Sequence, residues 1–170
     1  MHSENKVELL RRVFPDMDDS DLTELANVAQ LRTYPSDTIL CHEGHVESTF
    51  YAIVSGQVEV SKQLDEHTHA VINRPGAGNF VGEIALVQEV PRTATVRTTE
   101  PTTVLEIDRS NFIAMLHLSA SMAARIMLRI TSRLREIDMT TIAHLRQKNA
   151  ELEQAYAELQ QRYEELQKQK

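Results

Sequence analysis

The sequence predicts an α+β fold: an antiparallel, jelly-roll-like β-roll with an N-terminal helix and C-terminal helices, the last extended into a parallel dimeric coiled coil. Three observations predict it. All five glycines lie between Gly44 and Gly82, and neither Gly nor Pro follows Pro101, so turn-forming residues stop where a long helical tract starts. From about Thr38 to Ile107 the chain runs in short β-branched segments set apart by Gly, Pro or charged turns, the pattern of many short antiparallel strands. From Leu145 to Leu166 a leucine recurs every seventh residue, which is the mark of a helix that packs against another helix.

In chain order, Asp18, Asp19, Ser20 and Asp21 crowd capping and acidic residues at a helix start, where unpaired N–H groups favour oxygen and negative charge. Leu22, Leu25, Ala26 and Ala29 then follow at helical spacing along one face. Thr49–Val54, Gln57–Val60, Ala70–Ile72, Thr95–Thr98 and Thr102–Ile107 read as strands. Asp108 is positioned to cap a short helix carrying Phe112, Met115 and Leu116, and Ser119 or Ser121 to cap the next. Nothing between there and Lys170 breaks a helix.

The last stretch has heptad order. Ile142, Asn149, Tyr156 and Tyr163 hold one position, and Leu145, Leu152, Leu159 and Leu166 the position three residues on. Asn149 in an otherwise apolar seam selects register and favours two parallel strands, and Lys148 and Glu153 are spaced to pair between chains. Upstream, Met127, Ile130, Leu134 and Ile137 form a stripe one residue out of phase. The break near 138–141 would change the supercoil locally. The chain therefore divides into residues 1–118 (roll and flanking helices), 119–141 (a dimerising helix that covers the ligand) and 142–170 (a coiled coil leading to an output domain).

Composition narrows the function. A net charge of −7 argues against a nucleic-acid surface. The single cysteine, Cys41, cannot form an internal disulfide, and neither a signal-like N-terminus nor a membrane-length apolar run is visible. These features point to a soluble cytoplasmic protein with no membrane partner. Cys41, His42 and His45 surround a predicted turn and lack a fourth ligand, so no metal is expected. His67 and His69 fall in a polar hairpin loop. No nucleophile–base pair has a local signature, so the chain is not expected to be an enzyme.

The richest segment runs from Phe80 to Thr95. Gly82 allows close approach to its backbone. Ile84-Ala85-Leu86 reads as one helical turn whose first N–H groups can hold an anion. Arg92 offers a planar fork that matches phosphate oxygens, and Glu83, an acceptor when ionised, suits a sugar hydroxyl. Phosphate and ribose side by side indicate a nucleotide. The alternative is a plain Glu83–Arg92 salt bridge in a turn, which would leave Gly82, Ala85 and Ala94 unexplained.

This segment resembles the phosphate-binding cassette of the cyclic-nucleotide-binding domain family: Phe80-x-Gly82-Glu83-Ile84-Ala85-Leu86, then Pro91-Arg92-Thr93-Ala94-Thr95, without a gap. Glu43-Gly44, Phe50-Tyr51 and Ser55-Gly56 fall where that family places its roll turns and strands, so the resemblance spans roughly Leu9 to Leu134. It implies that Arg92, with N–H groups near Ala85 and Ala94, holds a cyclic phosphate, while Glu83 and the Gly82 backbone hold the ribose 2′-hydroxyl. One arginine and backbone donors suffice for a singly charged ligand, with no cofactor. Thr93 can reach the 2-amino group of a syn guanine, yet cAMP-preferring members also carry threonine there, so cAMP and cGMP both stand. Val71 is a candidate pocket wall. Ile126, Arg129, Ile130 and Arg133 are candidates to cover the base, with dimer core the alternative use of the two isoleucines.

The expected function is a homodimeric cyclic nucleotide sensor that signals through its coiled coil to an output domain, plausibly a bacterial signalling enzyme such as a diguanylate cyclase. The charge-balanced heptads stand where a catabolite-activator-type transcription regulator would carry a helix-turn-helix, so no nucleic-acid partner is expected. A regulator of that type, or a coiled-coil scaffold with a vestigial pocket, is the alternative.

Overall fold

A computed structural model of the chain describes residues 3–84 and 88–168. Its elements are helices α1 (Ser3–Val13) and α2 (Asp19–Val28), strands β1 (Gln30–Tyr34), β2 (Ile39–Cys41), β3 (Thr49–Ser55), β4 (Val58–Gln63), β5 (His69–Asn73), β6 (Phe80–Val81), β7 (Thr95–Thr98) and β8 (Thr102–Asp108), and helices α3 (Arg109–Leu118) and α4 (Ala120–Lys168). The strands form two antiparallel four-stranded sheets, ordered β1-β8-β3-β6 and β2-β7-β4-β5. The chain divides into two units, Met1–Met127 and Leu128–Lys170. The five predicted strands are present, Thr95–Thr98 with both ends as predicted and the others with ends displaced by at most three residues; β1, β2, β6 and helix α1 are additional.

Within the first unit, alternation sorts the side chains of β3. Tyr51 and Ile53 point into the roll, where they join Leu40, Cys41, Val58, Val81, Val96 and Val104 in a buried cluster. Phe50 points the other way, to Phe14 and Phe80, with ring centroids 6.2 and 5.3 Å away, and to Phe112 at 6.3 Å. All four phenylalanines of the chain thus belong to one cluster that joins sheet, helices and the start of the cassette. At the inner face of β1 and β8, Glu106 accepts a hydrogen bond from the Tyr34 hydroxyl and pairs with Arg32 at 3.0 Å. Burial and that carboxylate push the Tyr34 phenol up to about 12.

Asp108 caps α3 as predicted, accepting from the Ser110 N–H at 3.2 Å. At the next helix start Ser119 stands at the first position before α4, and its carbonyl accepts from the Ala123 N–H at 3.1 Å. Its hydroxyl and that of Ser121 also reach the buried carboxylate of Asp21, at 3.1 and 3.5 Å; a buried carboxylate needs such donors. Asp18 makes no side-chain cap to α2 and pairs with Arg125 at 2.9 Å.

In the second unit, α4 continues to Lys168 as one helix of the 49-residue element. Its seam is open: Ile142, Leu145, Leu152, Tyr156, Leu159 and Tyr163 are all exposed, Leu145 at 57%. No described helix is long and apolar enough to cross a membrane.

Candidate ligand-binding site

The cassette hangs from a two-residue strand. Phe80 and Val81 pair with Ala52 and Tyr51. Alternation sends Phe80 into the aromatic cluster and Val81 into the roll core. The chain then turns at Gly82, whose φ of +88° lies in the region that side chains disfavour. Glu83 and Ile84 open a helical turn, and the Gln88 N–H donates to the Ile84 carbonyl at 2.9 Å. Ala85 and Leu86 lie outside the described residues.

Arg92 re-enters the roll from the far side of this loop. Its backbone N–H donates to the His45 carbonyl at 2.8 Å, and its carbonyl accepts from the Gly44 N–H at 2.8 Å. The Thr95 hydroxyl accepts from the Glu43 N–H at 3.0 Å. The Glu43-Gly44 turn therefore fastens both ends of the Arg92–Thr95 segment. The Arg92 side chain is only 5% exposed. Nη2 donates to the Thr49 carbonyl, Nε lies 3.7 Å from the Glu47 carboxylate without a hydrogen-bond partner, and Nη1 faces Gly82.

That last contact gives Gly82 a role beyond the predicted one. A Cβ there would stand 2.6 Å from Nη1 of Arg92 and 2.8 Å from the Thr49 carbonyl oxygen. Glycine is required because the arginine itself fills the space where a side chain would go.

The surroundings are apolar and keep other groups neutral. Burial pushes the Cys41 thiol up, with Arg92 drawing it partly back. Burial also pushes the Tyr51 phenol well above its ordinary range, and its hydroxyl donates to the Leu40 carbonyl at 3.0 Å. Arg92 is thus a buried cation with donor capacity to spare, in a low-dielectric wall, beside a turn stripped of side chain. Such an arrangement can bind an oxyanion.

The predicted residues fall unevenly around it. Gly82 and Arg92 are in contact; Glu83 and Ala94 are half-buried nearby in sequence, while Ile84 and Thr93 are exposed. The carboxylate paired with Arg92 is that of Glu47, not Glu83. Val71 lies on edge strand β5 opposite Ser61, 46% exposed and outside the core cluster. Ile126 is buried. Arg129 and Arg133 are helical positions of α4 whose side chains lie outside the described residues. Glu47 was missed because its link to Arg92 is a tertiary contact with no local motif.

Comparison with known proteins agrees with this geometry. Residues 31–119 match the family described as cyclic nucleotide-binding domain. The chain is 30% identical over 105 residues to the cAMP-activated global transcriptional regulator CRP of Escherichia coli O6:H1, covering 61% of this chain and 50% of that protein. It is also 30% identical over 110 residues to the cAMP-dependent protein kinase regulatory subunit of Dictyostelium discoideum, covering 63% of this chain and 32% of that one. It therefore spans half the length or less of these curated relatives. Among solved structures, a cyclic nucleotide-binding domain from Methylobacillus flagellatus superposes with a TM-score of 0.68 at 24% identity, covering 79% of each chain. With the family match spanning the whole roll, cassette and α3, this chain belongs to the cyclic nucleotide-binding domain family.

Proposed function

We propose that the chain is a cyclic nucleotide sensor module that binds its ligand through Arg92 and relays occupancy through a dimeric coiled coil. The observation that carries the reading is the buried Arg92 guanidinium, packed on Gly82 with donors to spare. An incoming cyclic phosphate would take those donors, with the N–H groups around Ala85 and Ala94 completing the cradle. Glu83 and the Gly82 backbone would take the ribose 2′-hydroxyl. Similarity to a cAMP-activated regulator and to a cAMP-dependent kinase regulatory subunit favours cAMP; Thr93, exposed beside Arg92, keeps cGMP as the second candidate.

The relay is the heptad helix. Its seam is exposed in the single chain, and a second copy in parallel register would bury it around Asn149. Ligand can bias this pair only by binding one helix arrangement better than another. The output is a joined effector, for which we propose a signalling enzyme such as a diguanylate cyclase. Catalysis would then reside in the effector, and this chain would act in the cytoplasm.

A second reading, a transcription regulator that binds DNA, is favoured by the similarity to CRP. Against it, residues Ala120–Lys168 form one helix with alternating charges, where a DNA-reading unit would need a turn. Calorimetry with cAMP and then cGMP, run beside sedimentation equilibrium, tests the proposal. Saturable 1:1 binding per chain and a dimer are expected; a monomer silent to both nucleotides would reject it. A shift on promoter DNA at low salt would favour the second reading.

A further inference from the structure

We propose that Glu47 is the resident counter-ion of Arg92 and that an anionic ligand must share the guanidinium with it, so that this residue sets the affinity of the site. The inference rests on the reading of Arg92 as the phosphate ligand and adds a determinant that the cassette motif does not contain.

The guanidinium has three nitrogens, and the structure gives each a different neighbour. Nη2 is spent on the Thr49 carbonyl, Nη1 abuts Gly82, and Nε faces the Glu47 carboxylate at 3.7 Å. At that distance the Nε–Glu47 contact is an ion pair without a hydrogen bond, and Nε has no hydrogen-bond partner. Glu47 therefore contributes charge rather than geometry.

Geometry comes from elsewhere. The Arg92 side chain is buried, packed on Gly82 and tied to Thr49. Its backbone is fastened to His45 and Gly44. These restraints persist when Glu47 loses its charge. No second acidic side chain pairs with Arg92 among the described residues, and the neighbouring Cys41 and Tyr51 are pushed by burial toward their neutral forms. Glu47 is thus the charge that compensates a buried cation while no ligand is bound. The carboxylate keeps one foot in water, being 30% exposed, and stands beside the site when a phosphate arrives. Two anions then share one arginine, and the repulsion opposes binding.

Two measurements test this. The first is calorimetry of cAMP with the full chain and with Glu47→Gln, which keeps shape and removes charge. The variant is expected to bind ~3- to 30-fold tighter, the range for removing one partly screened charge several ångströms away. Equal or weaker binding by the variant, with the wild type binding normally, overturns the inference and leaves the sensor reading intact. The second is a ligand-free thermal-stability cycle of Glu47→Gln, Arg92→Met and the double variant. Non-additive shifts are expected, with Glu47→Gln costing stability only while Arg92 is present. Additive shifts overturn the counter-ion assignment. If neither protein binds cAMP or cGMP, the sensor reading fails, and the cycle alone then decides whether Glu47 compensates Arg92.

Discussion

The roll and the heptad helix put their apolar residues to opposite uses. In the unit Met1–Met127, Phe50, Ile53, Val58, Val104 and Leu105 are enclosed by the chain's own strands and helices. In the unit Leu128–Lys170, Leu145, Leu152, Tyr156 and Leu159 lie on the surface. The roll encloses its own core, whereas the helix leaves its apolar seam on the surface. Under the function proposed above, the first unit would receive the ligand and the second would bury its seam only against a second copy.

The largest expected effect lies in the roll. Phe50→Ala removes the ring that joins Phe14, Phe80 and Phe112 and should cost about 3–5 kcal/mol. Chemical denaturation followed by circular dichroism would show it, with sedimentation unchanged if the helix pairs independently. The reciprocal substitution, Leu152→Ala, should cost the dimer about 2–5 kcal/mol while leaving the monomeric roll untouched. An unaltered dissociation constant in sedimentation would mean the seam is not the contact between copies.

Gly82→Ala addresses the join between fold and site. Positive φ and a Cβ 2.6 Å from Nη1 of Arg92 together predict a loss of ~1–3 kcal/mol, and cAMP affinity should fall with it as the guanidinium is pushed aside. A variant with wild-type melting and binding would show that the turn relaxes freely.

The smallest effect is an alkaline one, confined to the roll. Burial raises Cys41 from its ordinary 9.0 and Tyr34 from 10.0 to about 12. The unfolded chain therefore releases these protons first, so the stabilisation is whole below about pH 9 and declines as pH rises toward 12. Thermal melts from pH 8 to 11 should fall steadily. A flat profile would mean that these groups titrate alike in both states.

The candidate site was legible where its residues are neighbours in sequence: Gly82 and Arg92 stand in one short motif and meet in the fold. What escaped is tertiary. Glu47 reaches Arg92 only because the His45 and Gly44 backbone is fastened to it. The Ser119 and Ser121 hydroxyls meet Asp21 across 98 and 100 residues of sequence. Strand β1 was hidden because Gln30, Arg32 and Thr33 carry little apolar alternation; its place is fixed by pairing along β8. Strand β6 is two residues long, too short for any periodicity. The heptads, by contrast, announce a helix plainly because every leucine falls on one stripe.

The most direct test of the central claim is calorimetry of cAMP with the wild-type chain and with Arg92→Met, which retains length and apolar contact while removing the charge. The account predicts saturable binding to the wild type and a loss of ~30- to several-thousand-fold in the variant, with the dimer preserved in sedimentation. Equal affinity in the two proteins would contradict it, because the buried guanidinium would then have no part in holding the ligand.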